Sequence, residues 1–177
     1  SSRVLPASLG GYTIGVLVQS NYGGVLEIDG VQVGRKLNQY DFRNHVKKTE
    51  NVDGSCMMVV VTDAPLDSRN LERLAMRAMM GLAKTGGIAS NGSGDYVIAM
   101  SVAEPNLVKD NEPIHNIKVL SNDRMSSLFC ATIEATAEAL WNSMFMAETM
   151  EGYRGSKVES LPKEKVLEML RNRTNRY

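Results

Sequence analysis

Apolar positions fall into short runs in the first part of the chain and into helical stripes in the second. Residues 12–19 (Tyr-Thr-Ile-Gly-Val-Leu-Val-Gln) are largely apolar, which predicts a strand covered on both faces. Asn21-Tyr22-Gly23-Gly24 breaks it. Val25–Ile28 and Val31–Val33 then flank Asp29-Gly30. Asp-Gly between short β-prone runs predicts a hairpin with a tight two-residue turn. Residues 35–54 carry Arg35, Lys36, Asp41, Arg43, His45, Lys47, Lys48, Glu50 and Asp53, and read as an exposed connector, the kind of segment where a chain is strained or cut. A second apolar strand follows at 57–62 and is ended by Asp63-Ala64-Pro65.

From here the period changes. Leu71, Leu74, Ala75, Ala78, Met79 and Leu82 recur at helical spacing behind Asp67 or Ser68, either of which can cap a helix, and Gly86-Gly87 stops it. Ser90-Asn91-Gly92-Ser93-Gly94-Asp95 leads into a strand at 96–102, and residues 103–121, with Pro105 and Pro113, read mostly as loop. A long helix is predicted over about 123–150 from Met125, Leu128, Phe129, Thr132, Ile133, Thr136, Ala137, Leu140 and Met144, ending at Gly152 and Gly155. A last helix starts near Pro162 and carries Val166, Leu167, Met169 and Leu170. Its cationic tail from Arg171 reads as a solvated helix end. Strands, then a strand–helix–strand unit, then long helices define an α+β or layered α/β domain.

The 177 residues suffice for one domain with a proper core. Lys plus Arg balance Asp plus Glu at 20 each, so the chain has no basic field for nucleic acid. No apolar run reaches the roughly 20 residues of a membrane span. No signal peptide is visible, which leads to the expectation of a cytoplasmic protein with the periplasm as the alternative; the start at Ser1 without Met reads as a processed product or a fragment. Cys56 and Cys130 form no CxxC pair and read as small buried hydrophobes. Met57, Met58, Met76, Met79, Met80, Met144 and Met146 lie in apolar patterns and read as packing. No metal or organic cofactor is indicated.

His45 and His115 lie in polar loops, and no Gly-x-Ser-x-Gly elbow is present, so a Ser-His-Asp triad is a poor fit. A serine then needs another base, and an α-amine with a pKa near 8 can serve. Gly54-Ser55 at the mouth of strand 57–62 is either a plain turn or a site where the chain cuts itself to expose an N-terminal serine. Asn91-Gly92-Ser93-Gly94-Asp95 is either a helix-to-strand turn or a loop that lets backbone amides and Ser93 approach a reacting centre. It is a weak phosphate loop, because no Gly-Lys-Ser/Thr follows. Asp95 either caps the turn or is a carboxylate that orients Ser93 and holds an ammonium. Asn21 is either a turn residue or an amide donor to an oxyanion.

These segments occur together in one order: Ser1-Ser2-Arg3-Val4, Val18-Gln19-Ser20-Asn21-Tyr22-Gly23-Gly24, Gly54-Ser55, Thr62-Asp63-Ala64-Pro65-Leu66 and Ala89 to Asp95. That order resembles the β-aminopeptidases, the L-aminopeptidase/D-esterase family of self-processing serine hydrolases, over nearly the whole chain. The resemblance implies an αββα sandwich like that of the N-terminal-nucleophile hydrolases with different connectivity. It implies autocleavage between Gly54 and Ser55, with Ser55 the nucleophile, Ser93 and Asp95 supporting it, and Asn21 in the oxyanion hole. Some relatives have Glu at the position of Asp95. Family members carry a long additional N-terminal region that supplies a Tyr and further pocket residues, so the chain reads as a C-terminal half. On this reading residues 1–54 end the α-chain and residues 55–177 form the β-chain. The implied partners are the missing N-terminal segment of the same precursor, a small peptide or amide substrate, and further copies in an oligomer, for which the apolar stripes of the two late helices offer surface. Two other readings stand beside it: an acyltransferase from a related self-processing family, whose members usually present Thr at the Ser55 position, and an uncut homologue acting as a binding or assembly module.

Overall fold

The computed structural model describes residues 1–41, 43 and 54–173. Most of the expected connector 35–54, including His45, lies outside the described residues, as does the end of the cationic tail from Thr174 onward.

Strands β1 (Ser2–Val4), β2 (Thr13–Asn21), β3 (Ser55–Thr62) and β4 (Tyr96–Ser101) form one sheet in the order β1-β2-β3-β4. β2 runs antiparallel to both β1 and β3, and β4 runs parallel to β3. A parallel pair needs a crossover, and helix α2 (Ser68–Lys84) supplies it after the short α1 (Val33–Lys36). Helix α3 (Met125–Met146) lies on the same face of the sheet, over β2 and β1 and against α2. The described residues are therefore α+β, with helices covering one face of the four-stranded sheet.

Side-chain alternation places Ile14 and Val16 of β2 and Cys56, Met58, Val60 and Thr62 of β3 on the buried, helix-covered face. Leu74, Ala78 and Leu82 of α2 and Leu128, Ala131, Ala135 and Leu140 of α3 complete this core. The opposite face of the sheet also carries many apolar side chains but is open. Leu17 is 73% exposed, and Met57, Ile98 and Met100 are also exposed. The expectation that strand 12–19 is covered on both faces is thus corrected: both faces are apolar, and the helices of this chain cover one. The methionines divide in the same way. Met58 is buried, while Met76, Met80 and Met146 stand exposed on their helices. Cys56 is buried as expected, but Cys130 is exposed.

Helix α2 begins where Asp67 caps it, its carboxylate accepting from the Asn70 amide at 2.8 Å. It ends at Thr85, and Gly86 follows at φ 93. Helix α3 stops at Met146, short of the expected 150, because Ala147 turns extended. Gly152 and Gly155 therefore do not stop a helix; they sit between β5 (Met150–Glu151) and β6 (Lys157–Val158), a small antiparallel pair. Asp29 and Gly30 both take positive φ, as the expected tight turn requires, but the flanking hairpin reduces to one bridge, Ile28 to Val31. Val33 starts α1 instead of extending a strand. Ile28, Val31 and Val33 form a second small core with Val166 of α4 (Lys163–Arg171), backed by Trp141 and Phe145. Trp141 Nε1 donates to the Glu27 carbonyl at 2.9 Å, fixing that cluster to α3. The apolar stripes of the two late helices are thus largely used inside the chain.

Helices α2 and α3 meet closely at Gly81. A Cβ there would lie 2.6 Å from Thr136 Cβ and 2.9 Å from the Ile133 carbonyl oxygen. Gly81→Ala gains up to about 1 kcal/mol of helix propensity, but forcing two backbones apart costs about 1–3 kcal/mol. A net loss of stability is expected, read as a lower denaturation midpoint.

Candidate active site

Three chain segments reach the same end of the sheet. β2 ends where its antiparallel neighbour β3 begins, so Asn21 pairs directly with Ser55. β4 is parallel to β3, so the loop that precedes it arrives beside the first residues of β3. The β3–α2–β4 crossover is what brings Ser93 and Asp95 to Ser55 although about 40 residues separate them in sequence. Residues facing one another on antiparallel strands share a face, so Asn21 and Ser55 lie on the same, open side.

Ser55 is exposed, and its hydroxyl donates to the Gly54 carbonyl oxygen at 2.7 Å. The Gly94 amide donates to Ser55 Oγ at 3.2 Å. Asp95 ties the loop to the strand: Oδ1 accepts from the Cys56 amide at 2.9 Å, and Oδ2 accepts from Ser93 Oγ at 2.8 Å. Both carboxylate oxygens are thereby engaged. Of the two readings open for Asp95, the geometry has it holding the Ser93 hydroxyl while also joining β3 to the loop.

Gly54 is buried against the β2 end. A Cβ on it would lie 2.8 Å from the Asn21 carbonyl oxygen and 2.9 Å from Tyr22 Cα. Only a residue without a side chain fits there. Asn21 also lines a cleft of about 490 Å³, together with Tyr22, Gly23, Gln39, Asp41 and Met144. The structure thus brings together Asn21, Gly54, Ser55, Ser93 and Asp95. His115 sits in an exposed loop, 3.9 Å from Glu112, and takes no part.

Sequence reasoning did not single out the Gly94 amide or the pair beneath the site, Tyr22 and Thr85. Gly94 carried a signal, since it lies inside the Asn-Gly-Ser-Gly-Asp segment; Tyr22 carried none beyond its place next to Asn21. Thr85 Oγ1 donates to the Leu82 carbonyl at 2.7 Å, so the 2.7 Å contact with Tyr22 is a bond that the tyrosine donates. Burial pushes the Tyr22 phenol up to about 12, and burial, with the Asp95 charge, pushes the Cys56 thiol up to about 11. Among the described residues no group of three or more His, Cys, Asp or Glu is placed to hold a metal, and no helix is long and apolar enough to cross a membrane.

At the mouth of β3 an exposed serine thus rests its hydroxyl on the preceding carbonyl, with a carboxylate-anchored loop beside it. The chain belongs to peptidase family S58, whose pattern it matches over residues 1–158. It is 35% identical over 173 residues to the beta-peptidyl aminopeptidase BapA of Sphingosinicella microcystinivorans, covering 92% of this chain and 44% of that protein. The crystal structure of the PH0078 protein from Pyrococcus horikoshii OT3 superposes with a TM-score of 0.84 at 41% identity, over 98% of this chain and 46% of that one. The L-aminopeptidase D-Ala-esterase/amidase of Ochrobactrum anthropi, described as a variant of the Ntn hydrolase fold, superposes with a TM-score of 0.77 at 30% identity, over 98% and 47%. The chain spans about half the length of the relatives it matches.

Two measurements check this geometry. Asp95→Ala leaves the Cys56 amide without its acceptor, and hydrogen exchange at Cys56 is expected to speed up while Val60, in mid-strand, stays protected. Tyr22 has a folded pKa above its unfolded value near 10, so its contribution is complete below pH 10 and is lost as pH rises through about 12. Two units correspond to about 2–3 kcal/mol. Denaturant unfolding at pH 9 and pH 12 is expected to show a smaller alkaline loss in Tyr22→Phe than in the parent protein.

Proposed function

We propose that this chain is the nucleophile-bearing part of a self-processing aminopeptidase that acts through Ser55. The observation that carries the reading is the Ser55 hydroxyl resting on the Gly54 carbonyl, beside a loop pinned by Asp95. Family membership and the names of the relatives support a peptide or amide substrate with a free N-terminal amine.

In maturation, Ser55 Oγ attacks the Gly54 carbonyl carbon and the amide nitrogen leaves. The new ester joins Gly54 to Ser55 Oγ and frees the Ser55 amine. Water hydrolyses the ester, giving a Gly54 carboxylate and a serine that carries both hydroxyl and amine. Residues 1–54 then end one chain and residues 55–177 form the other. In catalysis the neutral amine takes the hydroxyl proton as Oγ attacks the substrate carbonyl. The Asn21 amide and backbone N–H groups receive the oxyanion, a stabilisation worth about 3–4 kcal/mol per donor in comparable hydrolases. The proton passes to the leaving amine, and water releases the acyl group. Ser93 and Asp95 hold the loop, and with it the Gly94 donor, against the nucleophile. No step calls on a metal or cofactor.

The open apolar face of the sheet fits a second sheet supplied by an N-terminal segment of the same precursor. This completes the four layers of an αββα sandwich and accounts for a chain about half the length of its relatives. Assembly into a homo-oligomer is part of this proposal.

Mass spectrometry of the denatured protein is expected to show two fragments divided at Gly54–Ser55; a single intact species of 19.4 kDa for this chain argues for the uncut, non-catalytic reading. Ser55→Ala is expected to remain uncut and to lose aminoacyl-p-nitroanilide hydrolysis by at least 1,000-fold, on the order of removing a serine nucleophile elsewhere. Hydrolysis that survives the substitution rejects Ser55.

A further inference from the structure

We infer that Tyr96, with Met57, forms the wall against which the side chain of the substrate's N-terminal residue rests, and that this wall selects apolar side chains. The inference rests on the proposed role of Ser55 and goes beyond it by assigning the specificity.

The argument begins with register. On the open face Asn21 pairs with Ser55, and one step further along, Gln19 pairs with Met57, which pairs with Tyr96. Gln19, Met57 and Tyr96 therefore form the row next to the nucleophile, with the same side-chain direction. The row is uncharged. Within this chain Tyr96 is 63% exposed and Met57 37%, and their row lies beside the nucleophile at the sheet end, at the margin of the face that the proposed second sheet covers.

Gly94 sets the separation. A methyl group placed on it would lie 3.1 Å from Tyr96 Cε2 and 3.4 Å from Ser55 Oγ. The ring edge and the nucleophile thus border one small volume, kept clear because residue 94 has no side chain. In the acyl-enzyme the acyl group stays bonded to Ser55 Oγ after the leaving amine has gone. Its side chain is then the part of the substrate that must rest against whatever surrounds Oγ. An apolar side chain gains contact with the aromatic ring and the thioether. A charged one loses water and finds no counter-ion in the row.

The test compares kcat/KM of the processed protein on leucyl-, phenylalanyl-, glycyl- and glutamyl-p-nitroanilide. The parent is expected to prefer leucyl and phenylalanyl substrates. Tyr96→Ala is expected to lower the leucyl-to-glycyl ratio about tenfold, within the range expected for partial loss of an apolar pocket, and Tyr96→Phe to restore it. Completeness of Gly54–Ser55 scission and the thermal midpoint report whether Tyr96→Ala folds; if it does not, Tyr96→Leu carries the same comparison. An equal fall on every substrate assigns Tyr96 a structural role and overturns the inference. So does an unchanged ratio, or an effect that follows the leaving group while the leucyl residue is held constant. A parent protein that hydrolyses none of these substrates, or a Ser55→Ala variant that hydrolyses them all, fails the Ser55 reading itself, whereas an active parent with an unchanged Tyr96→Ala profile fails this inference alone.

Discussion

The bond between Asp95 and the Cys56 amide holds the rest of the site in place. Pairing of β4 with β3 brings the end of the preceding loop beside the first residues of β3. One carboxylate oxygen accepting a strand amide at 2.9 Å then fixes the loop there, and the other oxygen secures Ser93. Charge-assisted bonds of this kind are stronger than neutral ones, and this one also satisfies an amide at the sheet end that would otherwise lack an acceptor. With the loop anchored, the Gly94 amide faces Ser55 Oγ, and the space between Gly94, Ser55 and Tyr96 stays open.

The second constraint is strand direction. An antiparallel neighbour ends where β3 starts, and a parallel neighbour starts there too. Residues from three stretches remote in sequence therefore converge at one end of the sheet. Beneath them the helical layer is closely packed, with Thr132 and Thr136 donating their hydroxyls to carbonyls one turn back and Gly81 admitting α2 onto α3. The exposed chemistry stands on a rigid floor, as positioning of reacting groups requires.

Much of this was legible in the residues. Asp67 as a cap, Gly86 as a stop and Asp29-Gly30 as a tight turn are local signals, and each has its expected local effect. The order of strand, helix and strand from 55 to 101 follows from the change of hydrophobic period. What was not legible depends on distant partners. β1 is three residues long and exists because Ser2 to Val4 pair with β2. The hairpin around Asp29 was overruled because Val33 packs against α4, which no local pattern reveals. The open face was hidden for a related reason: an apolar strand reads the same whether its second side is covered by this chain or by something else. Among the site residues, Ser55, Ser93, Asp95 and Asn21 drew notice through their neighbours in sequence. Tyr96 did not, since only the strand register puts it next to the nucleophile.

Gly54 fixes where along the chain the serine must stand. The gap beside the backbone of Asn21 and Tyr22 accepts a hydrogen atom and nothing larger. Sliding the strand by one residue would bring Asp53 or Ser55 into that gap, and would also turn every side chain of β3 to the other face. Misalignment is therefore penalised twice, once by crowding and once by exchanging wet and dry surfaces. The placement of the hydroxyl is enforced by the absence of an atom next to it.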